Sequence, residues 1–405
     1  MRYPNKHKST PLFTGIILLA GVLGMSGASP APLPKSTPWD LEKLFHAPAF
    51  EWKETNSKVR ALQYKAEPWK GKPTHTFAYY ASPRDFGAKG RKFPGIVLVH
   101  GGGGAAFDKW VKIWAERGYA AIAMDLAGCG AGRRRLPDGG PGQDHGQKFH
   151  TIDGPIGDQW PYHAVANVIL AHSLLRSLDE VDENRTALTG ISWGGYLTCI
   201  VAGLDHRFQV AMPVYGCGFL RENSCWVPSE FGRMSREQSD KWHKLWDPSR
   251  YMGSARMPVM FLNGTNDFAY PMDSHARTCA LVQTPKNYSI QLRMKHGHIF
   301  DFPEFFLFVD QYLKEGTPMP VVSRPELRDG RVSAGVKAAT RLISARLHYT
   351  TGPHVKNKTR PWVTMDLELK GNRVSGQGPP PEATVWYVDV RDERKALVSS
   401  EVIVP

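Results

Sequence analysis

Short apolar runs alternate with longer amphipathic segments through the middle of the chain, and this alternation limits the fold more than any other feature. The predicted strands are residues 95–99, 120–124, 187–189, 210–212, 259–262 and 289–292. Residues 107–117 and 162–178 carry apolar side chains at three- and four-residue spacing, which is typical of helices packed on a sheet. Successive strand and helix units build a mostly parallel sheet with helices on its faces. The sequence therefore predicts an α/β fold.

Two flanking regions have other patterns. Residues 58–80 contain two β-rich runs separated by Gly and Pro, which predict paired leading strands. Beyond about residue 320, four segments alternate apolar and polar residues, namely 341–350, 362–369, 383–391 and 396–403. This pattern predicts a small antiparallel β-sandwich. We expect a linker and N-terminal extension at 29–57, a catalytic α/β domain at 58–320 and an accessory β-sandwich domain at 321–405.

The N-terminus has the pattern of an export signal. Three basic residues lie within the first eight positions, an uncharged apolar run follows at 12–25, and small residues occupy 26–28. This order is typical of a secretory signal peptide. We expect cleavage after Ala28 and a secreted or periplasmic protein without stable membrane insertion, with an uncleaved membrane anchor as the alternative.

Composition excludes several classes. A chain of 405 residues with 41% hydrophobic content is neither disordered nor collagen-like. The formal net charge of +13 favours polyanionic surroundings, but no basic stretch interleaves with aromatic residues, so we expect no nucleic-acid partner. Cys217 and Cys225 flank a short loop, and both a disulfide and two buried thiols stay open.

Residues 190–194 read Gly-Ile-Ser-Trp-Gly and match the G-x-S-x-G pattern. A predicted strand ends just before the motif, and a helix can begin just after it. Such a sharp strand-to-helix turn exposes the serine hydroxyl, and its strained backbone needs small neighbours. The motif alone is weak, since a serine beside a Gly-rich turn can simply cap a helix. Together with the motifs below it identifies Ser192 as the candidate nucleophile.

A run of glycines lies where an oxyanion hole is expected. His100 and the glycines at 101–104 directly follow a predicted strand. Bare backbone N–H groups in such a loop can approach a developing oxyanion. We expect the amides of Gly102, Gly103 and Trp193 to form the hole, because the run lacks both the ending of a P-loop and the spacing of a dinucleotide-binding motif.

The acid and the base of a triad are expected downstream. Asp267 follows the strand at 259–262, and His298 follows the strand at 289–292. The chain order Ser, Asp, His is the one that α/β-hydrolases use. Position within the loops favours Asp267 over Asp273 and His298 over His296, and both alternatives stay open.

The motifs at 99–104, 190–195 and 297–300 resemble those of the dienelactone hydrolase, acetyl xylan esterase and prolyl oligopeptidase branch of the α/β-hydrolases. The resemblance covers roughly residues 58–314 and implies a Ser-Asp-His hydrolase of an ester or an amide. The chain departs from dienelactone hydrolases, which have Cys where this chain has Ser192. It also lacks the Arg-Gly-Gln motif of cephalosporin-deacetylase-type acetyl esterases.

Other candidates are weaker. Arg133 begins an arginine run after a predicted strand and is a candidate for binding a carboxylate or a sulfate, although such runs are usually only solvated. Trp226 is a candidate for lining an acyl or sugar pocket, and anchoring a lid is the alternative. The Asp and His residues at 144–158 match no metal-ligand spacing, so we expect no metal and no cofactor.

The motifs together predict an exported serine hydrolase that cleaves a carboxylic ester through an acyl-enzyme. The expected substrate is a small-molecule or polysaccharide ester, such as an acetylated carbohydrate. A serine peptidase or amidase of the same fold is one alternative, and a binding protein on an inactive hydrolase scaffold is another. The oligomeric state does not follow from the sequence.

Overall fold

The computed structural model describes residues 29–299, 302–352 and 354–405. The α-helices are α1 Leu41–Leu44, α2 Asp108–Glu116, α3 Trp160–Ser177, α4 Trp193–Leu204, α5 Leu220–Asn223, α6 Arg236–Trp246, α7 Met272–Leu281 and α8 Pro303–Leu313. Strands before the glycine-rich loop are β1 Phe50–Glu54, β2 Arg60–Trp69, β3 Lys72–Ala81 and β4 Phe93–Val99. Central strands are β5 Ala120–Met124, β6 Val181–Ile191, β7 Val210–Val214, β8 Val259–Gly264 and β9 Lys286–Gln291. C-terminal strands are β10 Val321–Val322, β11 Glu326–Arg328, β12 Arg331–Lys337, β13 Leu342–Thr350, β14 Val363–Asp366, β15 Glu368–Lys370, β16 Arg373–Gln377, β17 Val385–Asp392 and β18 Leu397–Ser399.

A large sheet forms the core of the molecule. Within the described residues it has thirteen strands in the order β1-β2-β3-β5-β4-β6-β7-β8-β9-β18-β17-β13-β14. The strands from β5 to β9 in this order pair in parallel, while β1, β2 and β3 form an antiparallel edge. The prediction of an α/β fold with a mostly parallel central sheet flanked by helices is confirmed.

The parallel strands are apolar because both of their faces are covered by helices. Every residue of β4, β5 and β7 is buried. Helix α3 is buried along most of its length and contacts β2, β4, β5 and β6. The carboxyl ends of β4, β6, β8 and β9 therefore meet at one edge of a rigid sheet, where loops can carry functional side chains.

The N-terminal extension is partly integrated into the fold. Strand β1 pairs antiparallel with β2 at the edge of the large sheet. Trp39 is buried, and its indole N–H donates to the carbonyl oxygen of Tyr162 at 2.9 Å. Part of the segment predicted as linker and extension is thus packed against the α/β core.

The C-terminal strands continue the large sheet. β18 pairs antiparallel with β9, and β17, β13 and β14 follow outward. A separate antiparallel sheet has the order β10-β12-β16-β15, with β11 paired to β12. The β-rich C-terminus is as predicted, but one of its two sheets is continuous with the large sheet of the α/β core.

Three further predictions concern the termini and the cysteines. The predicted signal peptide at 1–28 lies outside the described residues. Across the described ranges, no helix has the length and apolar character needed to cross a bilayer. Cys217 and Cys225 are both free thiols in the structure.

Candidate active site

Ser192 lies at the tip of a strained turn between β6 and α4. Its φ of 59° falls in the left-handed region, which side-chain-bearing residues rarely adopt. The turn requires glycine on both sides: a Cβ on Gly190 would lie 2.4 Å from the carbonyl oxygen of Gly194, and one on Gly194 would lie 2.1 Å from that of Val99. The glycines of the motif thus let the serine hydroxyl project from the edge of the sheet.

A histidine and a carboxylate form a chain of polar contacts that begins at Ser192. The Oγ of Ser192 lies 2.9 Å from Nε2 of His296, and Nδ1 of His296 lies 2.7 Å from Oδ2 of Asp267. The other carboxylate oxygen of Asp267 accepts the backbone N–H groups of Ala269 and Tyr270 at 2.9 and 2.8 Å. Asp267 is buried, and these contacts place Nδ1 of His296 against the carboxylate and Nε2 against the serine hydroxyl.

Aromatic rings hold the imidazole of His296 in place. The ring of Tyr215 stacks on it with centroids 4.4 Å apart, and the ring of Phe268 lies 4.9 Å away. The Tyr215 hydroxyl donates to the carbonyl oxygen of Lys295 at 3.0 Å, which fixes the backbone next to the histidine. These contacts orient the imidazole between its two polar partners.

The structure differs from the sequence-based choice of His298 as the histidine beside Ser192. His298 contacts the glycine-rich loop, where its Nε2 accepts the N–H of Gly101 at 3.2 Å, and its ring packs 5.0 Å from Phe107. The physical reason is packing, since the ring of Tyr215 stacks on His296 while Phe107 packs against His298. His296, the alternative left open by the sequence, is the histidine beside Ser192.

The two aspartates considered for the triad, Asp267 and Asp273, lie in different places. Asp267 is joined to His296 as described, whereas Asp273 lies on α7 and accepts a hydrogen bond from the side-chain amide of Asn223. The structure thus brings together Ser192, Asp267 and His296.

The amides of the glycine-rich loop divide into two groups. The N–H of Gly101 donates to His298, and that of Gly104 donates to the carbonyl oxygen of Gly101 at 3.0 Å. In the described parts of the chain, the N–H groups of Gly102 and Gly103 have no hydrogen-bond acceptor. A Cβ on Gly102 would lie 2.7 Å from Cδ1 of Trp193, so the loop passes close to the start of α4. The loop conformation therefore leaves the amides of Gly102 and Gly103 without acceptors, and Gly102 lies next to the residue that follows Ser192.

His100 fixes the start of this loop. Its Nε2 accepts the N–H of Leu126 at 2.9 Å, and its Nδ1 donates to the carbonyl oxygen of Gly101 at 2.8 Å. Burial lowers the pKa of His100 to about 3, so the ring is neutral at physiological pH and keeps one donor and one acceptor. The sequence motif singled out the glycines, and the structure adds this histidine as a residue that positions them.

A buried lysine lies behind the glycine-rich loop and was not found from the sequence. Lys148 is 3% exposed, and its Nζ donates to the carbonyl oxygen of Gln143. The Nζ lies 4.8 Å from the ring centroid of Trp193 and 5.0 Å from that of Trp160. Burial lowers the pKa of Lys148 to about 7, against the opposing attraction of Asp144. The sequence around it is rich in polar residues and carried no signal that the lysine of this loop would be buried.

The weaker candidates have different outcomes. Arg133 is exposed, and its charge helps to lower the pKa values of His100 and His298, for which burial is the larger cause. Trp226 is only 6% exposed and packs 4.8 Å from the ring of Trp193, so it forms part of the wall behind the nucleophile and is not an exposed platform.

The Asp- and His-rich loop at 144–158 contacts Glu230, which lies in the segment between α5 and α6. The carboxylate of Glu230 bonds His145 at 2.9 Å and His150 at 2.8 Å. Over the described ranges, no group of three or more His, Cys, Asp or Glu side chains is arranged to hold a metal ion. The two histidines therefore link the loop to the segment after α5.

Comparison with known families adds to this geometry. Residues 105–307, a span of half the chain, match the model of the prolyl oligopeptidase family. The chain belongs to this family. One curated relative is the uncharacterized peptidase YuxL of Bacillus subtilis. It is 24% identical to this chain over 198 residues, which are 45% of this chain and 27% of the relative. The chain thus spans about a quarter of the length of the curated relative it matches.

Solved structures show the same fold. The acetyl xylan esterase from Paenibacillus sp. R4 is 19% identical with a TM-score of 0.55, over 70% of this chain and 97% of that protein. Acetyl Xylan Esterase 1 from Thermoanaerobacterium sp. JW/SL YS485 is also 19% identical, with a TM-score of 0.52, over 71% of this chain and 95% of that protein. At this identity the likeness shows the α/β-hydrolase fold. The family and the fold together support a serine hydrolase.

Proposed function

We propose that this prolyl oligopeptidase family member is a serine hydrolase that cleaves a carboxylic ester, with Ser192 as nucleophile, His296 as base and Asp267 as the acid that orients the histidine. The observation that carries the proposal is the continuous chain of contacts from Ser192 Oγ to His296 Nε2 at 2.9 Å and from His296 Nδ1 to Asp267 Oδ2 at 2.7 Å. This is the arrangement that nucleophilic acyl transfer needs.

The reaction has two halves. His296 takes the proton of Ser192 as its oxygen attacks the ester carbonyl carbon, and Asp267 stabilises the imidazolium that forms. His296 then gives the proton to the leaving alcohol, and an acyl-enzyme remains. In the second half a water molecule loses its proton to His296 and attacks the acyl carbon. The bond between the acyl carbon and Ser192 Oγ then breaks, His296 returns the proton to Ser192 Oγ, and the acid is released.

The tetrahedral intermediates need donors for the developing oxyanion. We assign this role to the N–H groups of Trp193 and Gly102, with Gly103 as the further candidate from the same loop. Trp193 is the first residue of α4, where backbone N–H groups have no acceptor within the helix. Gly102 passes beside it, and Lys148 adds positive charge behind both. Donors fixed before the reaction are worth about 3–4 kcal/mol each at such sites.

Close packing behind the nucleophile supports a short acyl group. The ring of Trp193 lies 5.6 Å from that of Phe149 and 4.8 Å from that of Trp226, which in turn packs 5.4 Å from Tyr270. Large fixed rings on this side leave little room for a long acyl chain. An acetyl group is small enough for this constraint, and the structurally similar esterases are named as acetyl xylan esterases. We therefore propose an acetylated carbohydrate or related polymer as substrate.

Export fits a polymeric substrate. The basic start, the apolar run at 12–25 and the small residues at 26–28 form the pattern of a secretory signal. We propose that the protein acts outside the cytoplasm after cleavage behind Ala28.

A peptidase or amidase is the second candidate, because the family match and the curated relative both carry that name. An enzyme that binds a free peptide N-terminus needs carboxylates near the base to hold the ammonium group. Among the described side chains that line the pocket beside His296, four are cationic and none is acidic. This charge pattern favours the esterase.

The test compares the protein from residue 29 onward with its Ser192→Ala variant on p-nitrophenyl acetate, acetylated xylan and an amino-acyl p-nitroanilide. We expect the unsubstituted protein to release acetate from the first two and the variant to be inactive. Faster cleavage of the anilide would move the assignment to a peptidase. Equal rates for the two proteins would refute the catalytic role of Ser192 and favour a binding protein.

A further inference from the structure

A cationic pocket opens beside the base. Its volume is about 770 Å³, and His296 forms part of its wall. Four other lining residues are basic, namely Arg293, Lys295, Lys358 and Arg360. None of the described lining side chains is acidic. A concave site with one sign of charge concentrates ligands of the opposite sign.

One of these cations is buried without a hydrogen-bond partner. Arg360 is 3% exposed, and none of its three guanidinium nitrogens has an acceptor within the described parts of the chain. The attraction of Asp273 acts on it, but burial is the larger influence and lowers its pKa. A guanidinium stays protonated at any physiological pH, so a buried and unpaired one is costly to the fold. An anion in the adjoining pocket would offset this cost.

The C-terminal region supplies part of this pocket. The segment with Lys358 and Arg360 lies between β13 and β14, and the side-chain amide of Asn266 donates to the carbonyl oxygens of Asn357 at 2.8 Å and Arg360 at 2.9 Å. Asn266 directly precedes Asp267, so the loop that carries the triad acid also holds this segment. The two cations are thus held at a fixed place relative to the triad.

The position of the pocket indicates which part of a substrate it receives. His296 must give its proton to the departing alcohol, so the alcohol moiety of an ester lies on the His296 side of the scissile bond. The rings around Trp193 pack against one another and form no part of the lining of this pocket. The pocket lined by His296 therefore faces the alcohol moiety.

We propose that this pocket binds an anionic group on the alcohol moiety of the substrate, so that the enzyme deacylates acidic glycans or other alcohols that carry a carboxylate or a sulfate. The exposed head groups of Arg293, Lys295 and Lys358 contact the anion, and the buried charge of Arg360 acts from behind the wall. This inference rests on the proposed esterase function and adds the charge of the substrate to it. Lysine and arginine head groups bind both carboxylates and sulfates, and the experiment distinguishes the two kinds of anion.

The experiment uses three acetyl esters of similar size: para-acetoxybenzoate, para-acetoxybenzenesulfonate and the neutral para-acetoxybenzamide. Each value of kcat/KM is divided by the rate of alkaline hydrolysis of the same ester, which removes differences in leaving-group reactivity. We expect the normalised value for an anionic ester to exceed that of the amide by about tenfold at low ionic strength, and the preference to shrink at about 0.5 M salt because exposed charges are screened. A preference for the benzoate indicates a uronate-type carboxylate, and one for the sulfonate indicates a sulfated substrate.

Variants of the pocket test the residues. Lys358→Ala lowers the ratio of anionic to neutral normalised kcat/KM by about three- to tenfold, and Lys358→Glu lowers it further. The matched control is Lys337→Ala, which removes an exposed lysine from β12 in the same C-terminal region. Arg360→Met keeps the length of the side chain and removes the buried charge, so we expect a lower ratio with an unchanged or higher Tm.

The outcomes separate the inference from the proposed function. Equal normalised values for the three esters, with hydrolysis still dependent on Ser192, would overturn the anion site and leave the esterase intact. Absence of Ser192-dependent hydrolysis of any ester would overturn both. A lower Tm of Arg360→Met together with an unchanged ratio would assign Arg360 to the fold alone.

Discussion

Replacing Lys148 with Met tests how a buried charge is tolerated beside the glycine-rich loop at 101–104. Methionine has a similar length and no charge, so it keeps much of the packing between Trp160 and Trp193. Burial lowers the pKa of Lys148 from 10.5 to about 7. The folded protein therefore releases this proton more readily than the unfolded chain does.

The sign of the effect follows from proton binding. Between about pH 7 and 10.5 the unfolded state holds more protons than the folded state, so the stability of the unsubstituted protein rises with pH across this range. Below about pH 7 both states carry the charged lysine, and its burial cost is fully present. At about 1.4 kcal/mol per pKa unit the shift corresponds to roughly 5 kcal/mol, and the contacts with the two indole rings offset about 1–2 kcal/mol of that cost.

We therefore expect Lys148→Met to raise the free energy of unfolding by about 3 kcal/mol at pH 6 and to change it little near pH 10. The measurement is urea unfolding followed by tryptophan fluorescence at both pH values, since comparing the two proteins cancels the titration of other groups. Lys109→Met, at an exposed position on α2, serves as the control and should have no pH-dependent effect. A variant that is less stable at pH 6, or an equal difference at both pH values, would refute the reasoning.

Two further predictions concern Gly102 and Glu230. Gly102→Ala places a Cβ 2.7 Å from Cδ1 of Trp193, which displaces the backbone N–H groups proposed to bind the oxyanion. We expect kcat for p-nitrophenyl acetate to fall about 10²-fold or more with little change in KM. A rise in KM without a fall in kcat would instead assign the loop to substrate binding. Burial raises the pKa of Glu230, but the hydrogen bonds from His150 and His145 outweigh burial, and the pKa is lowered overall. These bonds therefore stabilise the fold at pH values above the ordinary pKa of glutamate. The stabilisation is lost as the pH falls through the lowered pKa of Glu230. Glu230→Gln should therefore lower the free energy of unfolding by about 1–3 kcal/mol at pH 7 and by much less near pH 3, measured by urea unfolding, and an equal loss at both pH values would contradict the role of the charge.

Much of the fold was predictable because local patterns and the parallel sheet agree. The apolar runs at 95–99 and 259–262 lie within β4 and β8, which are buried on both faces. Residues 162–178 form most of α3 because its apolar faces pack on the sheet. The pairing of β18 with β9 was not predictable, because edge pairing depends on which strands meet in three dimensions.

The candidate site was predictable where a motif imposes backbone geometry. Gly190 and Gly194 are required by the turn at Ser192, so the pattern of small residues located the serine. The choice between His296 and His298 had no such signal, because two equal side chains lie two residues apart in one loop. Contacts with Tyr215, which is distant in sequence, decide between them.

The most direct test of the triad compares His296→Ala with His298→Ala, each assayed for kcat/KM on p-nitrophenyl acetate after confirming an unchanged circular dichroism spectrum. We predict that loss of His296 lowers kcat/KM by about 10⁴-fold or more, since the base is removed from Ser192. Loss of His298 should cost no more than about tenfold, because one hydrogen bond to Gly101 is removed. The reverse order of the two effects would contradict the assignment of Ser192, His296 and Asp267.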